Sequence, residues 1–314
     1  MRAAFYQQFG DNSVITIGEL PDPKVGPGEV LVEVRCAGVN PVDWKVMAGG
    51  LDPLMNAYFP VVPGWDVSGV VKAVGLDTPE YAVGDPVIAY ARKDVLAGGT
   101  FAELVSAPVR TLARKPASLG FEEAAGLPLA GLTAYQLLTR LSTKPGETVL
   151  VHAAAGGVGS LAVQVARALG ARVIGTASER NHEFVRSLGA EPVGYGEGLT
   201  DRVRALAPTG VDVVADFVGG VLADTLAVLA PGGRHASVAD PAVAGSGGSY
   251  IWVRPDPDDL ATLAQWADQG DLIVPLDAVF GLDQVADAFA LSQAGHARGK
   301  IVIRVSDGTA TTAG

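Results

Sequence analysis

Alternation of apolar and polar positions marks the first part of the chain as β-rich. Residues 30–34 (VLVEV) alternate as a half-buried strand does, and the apolar stretch at 67–74 predicts another strand. Further short strands are predicted at 87–90, directly after the turn at 84–86, and at 101–106. Glycine and proline separate these segments, so the pattern favours a compact β-rich domain.

From residue 121 the apolar spacing becomes helical, and from residue 147 predicted strands and helices alternate. A first helical stretch is predicted to begin at residue 121. The other predicted helices cover 131–141, 158–169, 181–188, 221–229, 258–267 and 283–292. The predicted strands are 148–152, 173–176, 211–216, 234–238 and 300–305, with a turn at Pro231-Gly232-Gly233. Such alternation is typical of βαβ units in a doubly wound parallel sheet.

Composition excludes several classes of protein. The 314 residues carry a net charge of −11, which does not suit nucleic-acid phosphates or an anionic membrane surface. With a single cysteine, Cys36, the chain forms no internal disulfide and no four-cysteine zinc site. The N-terminus does not have the pattern of a secretory signal, and no long apolar run is present. We therefore expect a soluble cytoplasmic protein.

The segment 152–159 (HAAAGGVG) lies between an apolar strand and an amphipathic helix, as a dinucleotide-binding glycine loop does. We expect Gly156 to let the backbone approach a pyrophosphate and Gly159 to allow close packing of helix on strand. Ala154 stands at the first glycine position, so an ordinary strand–helix turn is the alternative. The cofactor contacts predicted in this loop are Ala155, Gly156, Gly157, Val158 and Gly159.

Ser178 and Arg180 favour NADPH over NADH. An NAD site usually carries an acidic residue at the end of the second strand, about 20 residues after the glycine loop. Here that place has the neutral Ser178, and Arg180 can bind a 2′-phosphate. The Glu179 side chain, between these two residues, can point either toward the cofactor or away from it. The alternative is that Ser178 only caps a helix and Arg180 is solvated.

Six segments in order resemble the zinc-independent, quinone oxidoreductase (zeta-crystallin-like) branch of the medium-chain dehydrogenase/reductase superfamily. They are residues 38–45 (GVNPVDWK), 63–69 (PGWDVSG), 99–103 (GTFAE), 131–134 (GLTA), 153–159 (AAAGGVG) and 298–302 (RGKIV). The resemblance implies a GroES-like β-rich catalytic domain, residues 1–122 and 271–314. It also implies an inserted Rossmann domain, residues 123–270, with NADPH in the cleft between the two.

The same resemblance implies roles for further residues. Asn40 and Thr133 are expected on the nicotinamide side, and Tyr195, on the strand after the second helix, beside the 2′-phosphate. The segment 216–219 is expected under the nicotinamide ribose. The implied cofactor contacts outside the glycine loop are Asn40, Thr133, Ser178, Arg180, Tyr195, Phe217, Val218, Val238 and Lys300.

Zinc-dependent members of the superfamily hold a catalytic zinc through a cysteine and a histidine, where this chain has Asn40 and Trp65. Asparagine and tryptophan are poor zinc ligands. The histidines lack the spacing of metal ligands; they are His152, His182, His235 and His296. We therefore expect no metal site.

The predicted activity is hydride transfer from NADPH to a quinone or an α,β-unsaturated carbonyl. Many quinone reductases of the branch have a tyrosine where this chain has Lys45, and the segment 42–45 (VDWK) resembles plant-type enone reductases. Asn40 and Lys45 are the candidate catalytic residues, because either can stabilise charge on the substrate oxygen. The alternatives for Lys45 are an ion pair with Asp43 or a contact to a cofactor phosphate.

Two other functions remain open, a trans-acting enoyl-thioester reductase and a non-catalytic NADPH-binding sensor. The apolar run at 250–253 (YIWV) predicts a sheet edge that pairs with a second copy, and hence a homodimer.

Overall fold

The computed structural model describes residues 1–306, so residues 307–314 of the predicted segment 271–314 lie outside the described part. Its strands, in chain order, are β1 (Arg2–Phe5), β2 (Thr16–Glu19), β3 (Glu29–Val39), β4 (Ala57–Val62), β5 (Asp66–Val74), β6 (Pro86–Tyr90), β7 (Leu96–Gly98), β8 (Leu104–Pro108), β9 (Leu112–Arg114), β10 (Thr148–Val151), β11 (Arg172–Thr176), β12 (Glu191–Val193), β13 (Val211–Asp216), β14 (Leu229–Ser237), β15 (Ser249–Tyr250), β16 (Leu276–Gly281) and β17 (Lys300–Arg304).

The α-helices of the same residues are α1 (Pro41–Met47), α2 (Phe121–Gly126), α3 (Pro128–Arg140), α4 (Gly157–Ala168), α5 (His182–Ser187), α6 (Leu199–Leu206), α7 (Leu222–Val228), α8 (Pro257–Gln269) and α9 (Val285–Gln293). None of them is long and apolar enough to cross a bilayer.

Two compact units divide the chain. Unit 1 holds residues 1–129, 255–270 and those from 276 onward, and unit 2 holds residues 130–254 and 271–275. This division differs from the expected boundaries in three places: residues 123–129 and the segment with α8 belong to unit 1, and residues 271–275 belong to unit 2. In α8, the Asp268 carboxylate accepts a hydrogen bond from the Ser118 N–H (2.8 Å). Residues 271–275 join unit 2, where the Ile273 N–H donates to Gln164 Oε1 (2.8 Å).

A seven-stranded sheet organises unit 1, with β16, β17, β3, β5, β6 and β9 side by side and β8 also paired to β3. The alternation that predicts a strand at 30–34 has its physical cause here, because Val30, Val32 and Val34 are buried and their neighbours are not. The late strand β17 runs antiparallel to β3, with Ile301 opposite Val39. The C-terminal part of the chain therefore completes the sheet that the N-terminal part begins.

Six parallel strands form the sheet of unit 2, in the order β12, β11, β10, β13, β14, β15. This order reverses direction between β10 and β13, which is the switch point where doubly wound sheets bind dinucleotides. Its apolar core includes Leu150, Ile174, Val214 and Val228. The predicted fold class, a GroES-like β-rich domain with a Rossmann doubly wound domain, is confirmed.

The structure corrects two local predictions. Residues 231–233 are part of β14, because this strand bulges: Val211 lies opposite Leu229, but Val213 lies opposite Arg234. The strand predicted at 101–106 covers Leu104–Pro108 instead, where it pairs with Glu29–Glu33 of β3.

Substitution of Phe289, in α9, tests how strongly the C-terminal segment stabilises unit 1. Its side chain is fully buried, and its ring lies 5.9 Å from that of Phe101, at 55°. We expect Phe289→Ala to lower the free energy of unfolding in urea by about 3–5 kcal/mol, because it leaves a cavity. Val279→Ala, at a half-exposed position of the same segment, should change it by about 0.5 kcal/mol or less. Equal effects of the two variants would contradict this packing.

Candidate functional site

The turn between β10 and α4 presents an uncapped helix start. The N-cap residue of α4 is Gly156, with extended backbone (φ −78°, ψ 177°) and no side chain to cap the first turn. The first N–H groups of a helix have no acceptor within the helix, and the helix dipole is positive at this end. These groups fit an anionic phosphate.

Close packing inside this turn explains why residue 159 is a glycine. A Cβ at position 159 would lie 2.0 Å from the Ala153 carbonyl oxygen, whereas one at Gly156 would lie 3.4 Å from the same atom. Ala153 itself has a left-handed backbone (φ 57°), held by a hydrogen bond from its N–H to Thr176 Oγ1 (3.0 Å). The turn is therefore tightly built around Gly159 and open at Gly156.

Most residues predicted to contact the cofactor in unit 2 follow the carboxyl ends of neighbouring parallel strands, and these ends share one edge of the sheet. The glycine loop follows β10, Ser178 and Arg180 follow β11, Tyr195 follows β12, Phe217 and Val218 follow β13, and Val238 follows β14. Tyr195 lies in the loop after β12 and not on the strand as expected, because β12 ends at Val193. Thr133 is buried on α3 instead.

The end of β11 carries the groups that bear on cofactor choice. Ser178 Oγ accepts a hydrogen bond from Asn181 Nδ2 (3.3 Å), which closes the short turn Glu179–Asn181. Glu179 and Arg180 are both exposed. This turn thus carries a hydroxyl, a carboxylate, a guanidinium and the Asn181 amide, of which the hydroxyl and the amide bond each other.

Asp216, at the end of β13, holds two of these loops in place. Its Oδ1 accepts hydrogen bonds from the N–H groups of Val218 and Gly219 (both 2.9 Å), and its Oδ2 accepts one from Ser237 Oγ (2.7 Å). Ser237 Oγ in turn accepts from the N–H of Ala239 (3.0 Å). The sequence predictions above do not include this positioning role of Asp216. A carboxylate directly after the apolar run of β13 is the signal that points to it.

Unit 1 contains a buried cluster of charged and polar side chains, formed by Asn40, Asp66 and Lys300. Strand register brings them together, because Gly38 of β3 lies opposite Asp66 of β5 and opposite Val302 of β17. Lys300 Nζ donates to Asn40 Oδ1 (2.5 Å) and to the Val39 carbonyl (3.1 Å) and lies 3.9 Å from Asp66 Oδ2.

Both ends of the Asn40 amide are used in this cluster. Its Oδ1 accepts from Lys300, and its Nδ2 donates to Asp66 Oδ2 (2.9 Å). Asp66 Oδ1 also accepts from the Leu129 N–H (2.8 Å). Asn40 and Lys300 are 2% and 3% exposed, so the structure shows both predicted residues tied into this network.

Burial dominates the ionisation of the carboxyl groups here. It raises the pKa of Asp66 to about 6, against the opposing charge of Lys300 and the hydrogen bond from Asn40. Burial also raises the pKa of Asp43 to about 8, with the hydrogen bond from the Asn40 N–H (2.7 Å) opposing it. The pKa of Lys300 is lowered by burial, against the charges of Asp66 and Asp43. Burial thus disfavours the charged form of all three groups, and the charge of Lys300 opposes this effect at both carboxyl groups.

Lys45 lies on the exposed side of α1, with its ammonium 5.4 Å from the centre of the Trp44 ring. Asp43, one alternative partner for it, is buried and turns its carboxyl group toward the Asn40 N–H. The structure thus separates two neighbours in sequence: Asp43 faces the interior and Lys45 faces solvent.

The buried cluster does not fit a zinc ion. The Asn40 amide oxygen, at the place of the cysteine ligand in zinc-dependent relatives, is bonded to an ammonium group, and Trp65 lacks a lone pair to donate. Among residues 1–306, no group of three or more His, Cys, Asp or Glu side chains is arranged to hold a metal.

Comparisons with known proteins agree with this architecture. Residues 26–117 match the family described as "Alcohol dehydrogenase GroES-like domain", and residues 188–303 match "Zinc-binding dehydrogenase". The "NADPH-dependent alkenal/one oxidoreductase, chloroplastic" of Arabidopsis thaliana is 34% identical over 96% of this chain and 79% of that protein.

Two solved structures are similar along nearly the whole chain. A quinone oxidoreductase from Coxiella burnetii has a TM-score of 0.86 and 33% identity, covering 98% of this chain and 99% of that one. A structure titled "NAD-dependent alcohol dehydrogenase" has a TM-score of 0.89 and 32% identity, covering 98% and 100%. The chain therefore belongs to the medium-chain dehydrogenase/reductase superfamily, as an oxidoreductase of the kind that binds a nicotinamide cofactor.

Proposed function

We propose that the protein uses NADPH to reduce a quinone or an α,β-unsaturated carbonyl, and that it does so without zinc. The observation that carries this proposal is the uncapped start of α4 at the switch point of the parallel sheet. The relatives named as quinone and alkenal/one oxidoreductases support the substrate class. The donor set around Asn40 supports a mechanism without a metal.

Unit 2 supplies the residues that would hold the cofactor, which provides the hydride when bound. The loop from Ala155 to Gly159 would bind the diphosphate through backbone N–H groups. Ser178, Arg180 and Tyr195 would meet the 2′-phosphate, and the loops held by Asp216 would lie along the ribose. The remaining proposed contacts are Asn40, Thr133, Phe217, Val218, Val238 and Lys300.

Preference for NADPH rests on Arg180. A guanidinium forms strong, paired hydrogen bonds with a phosphate, and NADH has no 2′-phosphate to receive them. Glu179 is the opposing group in the same turn, because its carboxylate would repel that phosphate. The similar structures include one titled as NAD-dependent, so cofactor choice must be measured for this chain.

On the substrate, hydride addition builds negative charge on the carbonyl or quinone oxygen. Hydrogen-bond donors aimed at that oxygen stabilise the transition state. Lys45 is the exposed cation proposed for this role, and the Asn40 amide is the neutral donor. The buried cluster fixes the orientation of Asn40, since Lys300 and Asp66 hold its two ends.

We also propose a homodimer that forms through the edge strand β15. Tyr250 and Trp252 are 43% and 41% exposed at this edge, beside the buried Ile251. An exposed edge strand with aromatic side chains favours pairing with a second copy. Sedimentation at micromolar concentration should give a dimer, and a monomer would contradict this proposal.

Two glycine substitutions separate cofactor binding from packing. Gly156→Ala should leave the free energy of unfolding within about 1 kcal/mol of the wild type, because its backbone angles suit alanine. The added methyl group should nevertheless weaken NADPH binding at least about tenfold by blocking the phosphate. Gly159→Ala should destabilise the protein without cofactor by about 1–3 kcal/mol, because its Cβ meets Ala153.

Urea unfolding without cofactor and fluorescence titration with NADPH measure the two effects. Normal NADPH binding by the Gly156 variant would argue against a phosphate site at this loop. A Gly159 variant as stable as the wild type would argue against the packing.

Arg180→Ala should weaken NADPH binding roughly 10- to 100-fold and leave NADH binding unchanged, because the lost hydrogen bonds go to a charged phosphate. The matched control is Arg186→Ala, another exposed arginine, which pairs with Glu183 on α5. It should change neither affinity. Equal weakening of both cofactors by Arg180→Ala would refute its proposed role.

Turnover tests the activity itself. The purified protein should oxidise NADPH in the presence of quinones or 2-alkenones, and EDTA should not reduce the rate. Lys45→Met should lower kcat at least about tenfold, because it removes a positive charge near the developing oxyanion. Lys72→Met, at an exposed position of β5, should have no effect.

Three other outcomes would count against the proposal. Loss of activity with EDTA would contradict the absence of zinc. Reduction of enoyl thioesters alone would favour the thioester reductase, and NADPH binding without any turnover would favour the sensor.

A further inference from the structure

A small cavity of about 20 Å³, partly open to solvent, lies in unit 1, and Asp43, whose carboxyl group accepts a hydrogen bond from the Asn40 N–H, is in its wall. Tyr6, Asp43, Gly64 and Gly99 are among the residues that line it. A cavity needs about 10–15 Å³ of this kind of volume to hold one water molecule. The cavity is therefore large enough for a single water.

Buried polar atoms without partners surround this space. Tyr6 Oη and Asp43 Oδ1 are fully shielded, and neither has a hydrogen-bond partner among residues 1–306. Thr100 Oγ1 is a third such atom, and it lies close to Gly64, since a Cβ on Gly64 would be 2.6 Å from it. Native interiors rarely leave buried polar groups unsatisfied, and an internal water is the usual partner.

The two sides of the Asp43 carboxyl group have different surroundings. Oδ2 accepts a hydrogen bond from the Asn40 N–H (2.7 Å), so this oxygen acts as an acceptor. Oδ1 is the atom without a partner, and Asp43 lines the cavity. A proton on this carboxyl group therefore belongs on Oδ1, which faces no partner among residues 1–306.

We propose that the cavity is a site for one water molecule, and that Asp43 holds an exchangeable proton there as a neutral carboxylic acid. Asp43 Oδ1–H donates to the water, and the Tyr6 hydroxyl completes its hydrogen bonding. This inference is independent of the proposed function, because it concerns only the interior of unit 1.

The charges around Asp43 agree with a neutral acid. Lys300 of β17 is the buried cation, and Asp66 of β5 already balances it. The other titratable groups nearby are Tyr6 after β1, Tyr90 of β6, and Arg92 and Lys93 after β6. Lys93 lines the cavity but directs its ammonium group to Ser106 Oγ (3.1 Å). Ionised Asp43 would thus be a second buried anion beside Asp66, and burial raises the pKa of Asp43 to about 8.

The water site also bears on Asn40. The same carboxyl group that faces the cavity holds the Asn40 N–H at the start of α1. Loss of the Asp43 proton would place a second negative charge beside the buried cluster that orients the Asn40 side chain. Asp43 is therefore a positioning residue for Asn40.

Infrared difference spectroscopy tests the proton directly on the full-length protein. The wild type should show the carbonyl band of a protonated carboxylic acid at neutral pH, and this band should disappear with a midpoint near pH 8. Asp43→Asn, which keeps the shape but cannot ionise, should lack the band. Tyr6→Phe should shift its frequency, because the water loses a partner.

Stability gives a second measurement. The pKa of Asp43 is about 8 in the folded state, whereas an unperturbed aspartate has a pKa of 3.8, so between these pH values the folded state binds the extra proton. The free energy of unfolding should therefore fall as the pH rises through this range. Asp43→Asn should lack this loss, and its stability relative to the wild type should rise with pH.

Four results would overturn the proposal. They are a wild type without the carboxylic acid band at neutral pH, an Asp43→Asn variant that retains the band, a Tyr6→Phe variant with an unshifted band, and a crystal structure with an empty cavity. The wild-type spectrum decides the question even where Asp43→Asn fails to fold.

Discussion

The ion pair between Lys300 and Asp66 is the interaction on which the architecture of unit 1 depends. A buried charge is tolerated only with a partner and further hydrogen bonds, and removal of one partner from such a pair destabilises a protein by about 3–5 kcal/mol. Here the partners come from β5 and β17, joined through Asn40 after β3. The last strand is therefore required in the sheet both by its backbone pairing and by the charge that it carries.

This constraint links fold to chemistry, because the residue fixed at the centre of the cluster is Asn40. Asn40 also begins α1, which places Asp43 inward in its first turn and Lys45 outward in its last turn. One short helix thus separates a buried acid from an exposed cation. In unit 2 the corresponding fixed points are Gly159 and Asp216, which hold the loops at the carboxyl edge of the parallel sheet.

Features that depend on neighbouring residues were predictable from the sequence, and features that depend on distant pairing were not. The strand–turn–helix form around the segment 152–159 and the strand at 30–34 carry their own local patterns, and the structure has both. The bulge of β14 was missed because Pro231-Gly232-Gly233 indicates a turn unless β13 lies alongside. Asp66 and Asp43 were missed as members of a buried network, because only the register of β3 with β5 and β17 brings them near Lys300.

The hydrogen-bonding groups around Asn40, which stand where zinc-dependent relatives have a metal ligand, also indicate which substrates the site favours. Oxidation of a simple alcohol concentrates negative charge on one oxygen, for which zinc-dependent relatives supply a metal cation. Reduction of a quinone or a conjugated carbonyl spreads the charge over several atoms, and hydrogen-bond donors are then sufficient. In this chain Lys300 provides a positive charge, but its ammonium group is bonded inside the protein. The donor set around Asn40 thus supports our proposal that the substrates are conjugated acceptors and not simple alcohols.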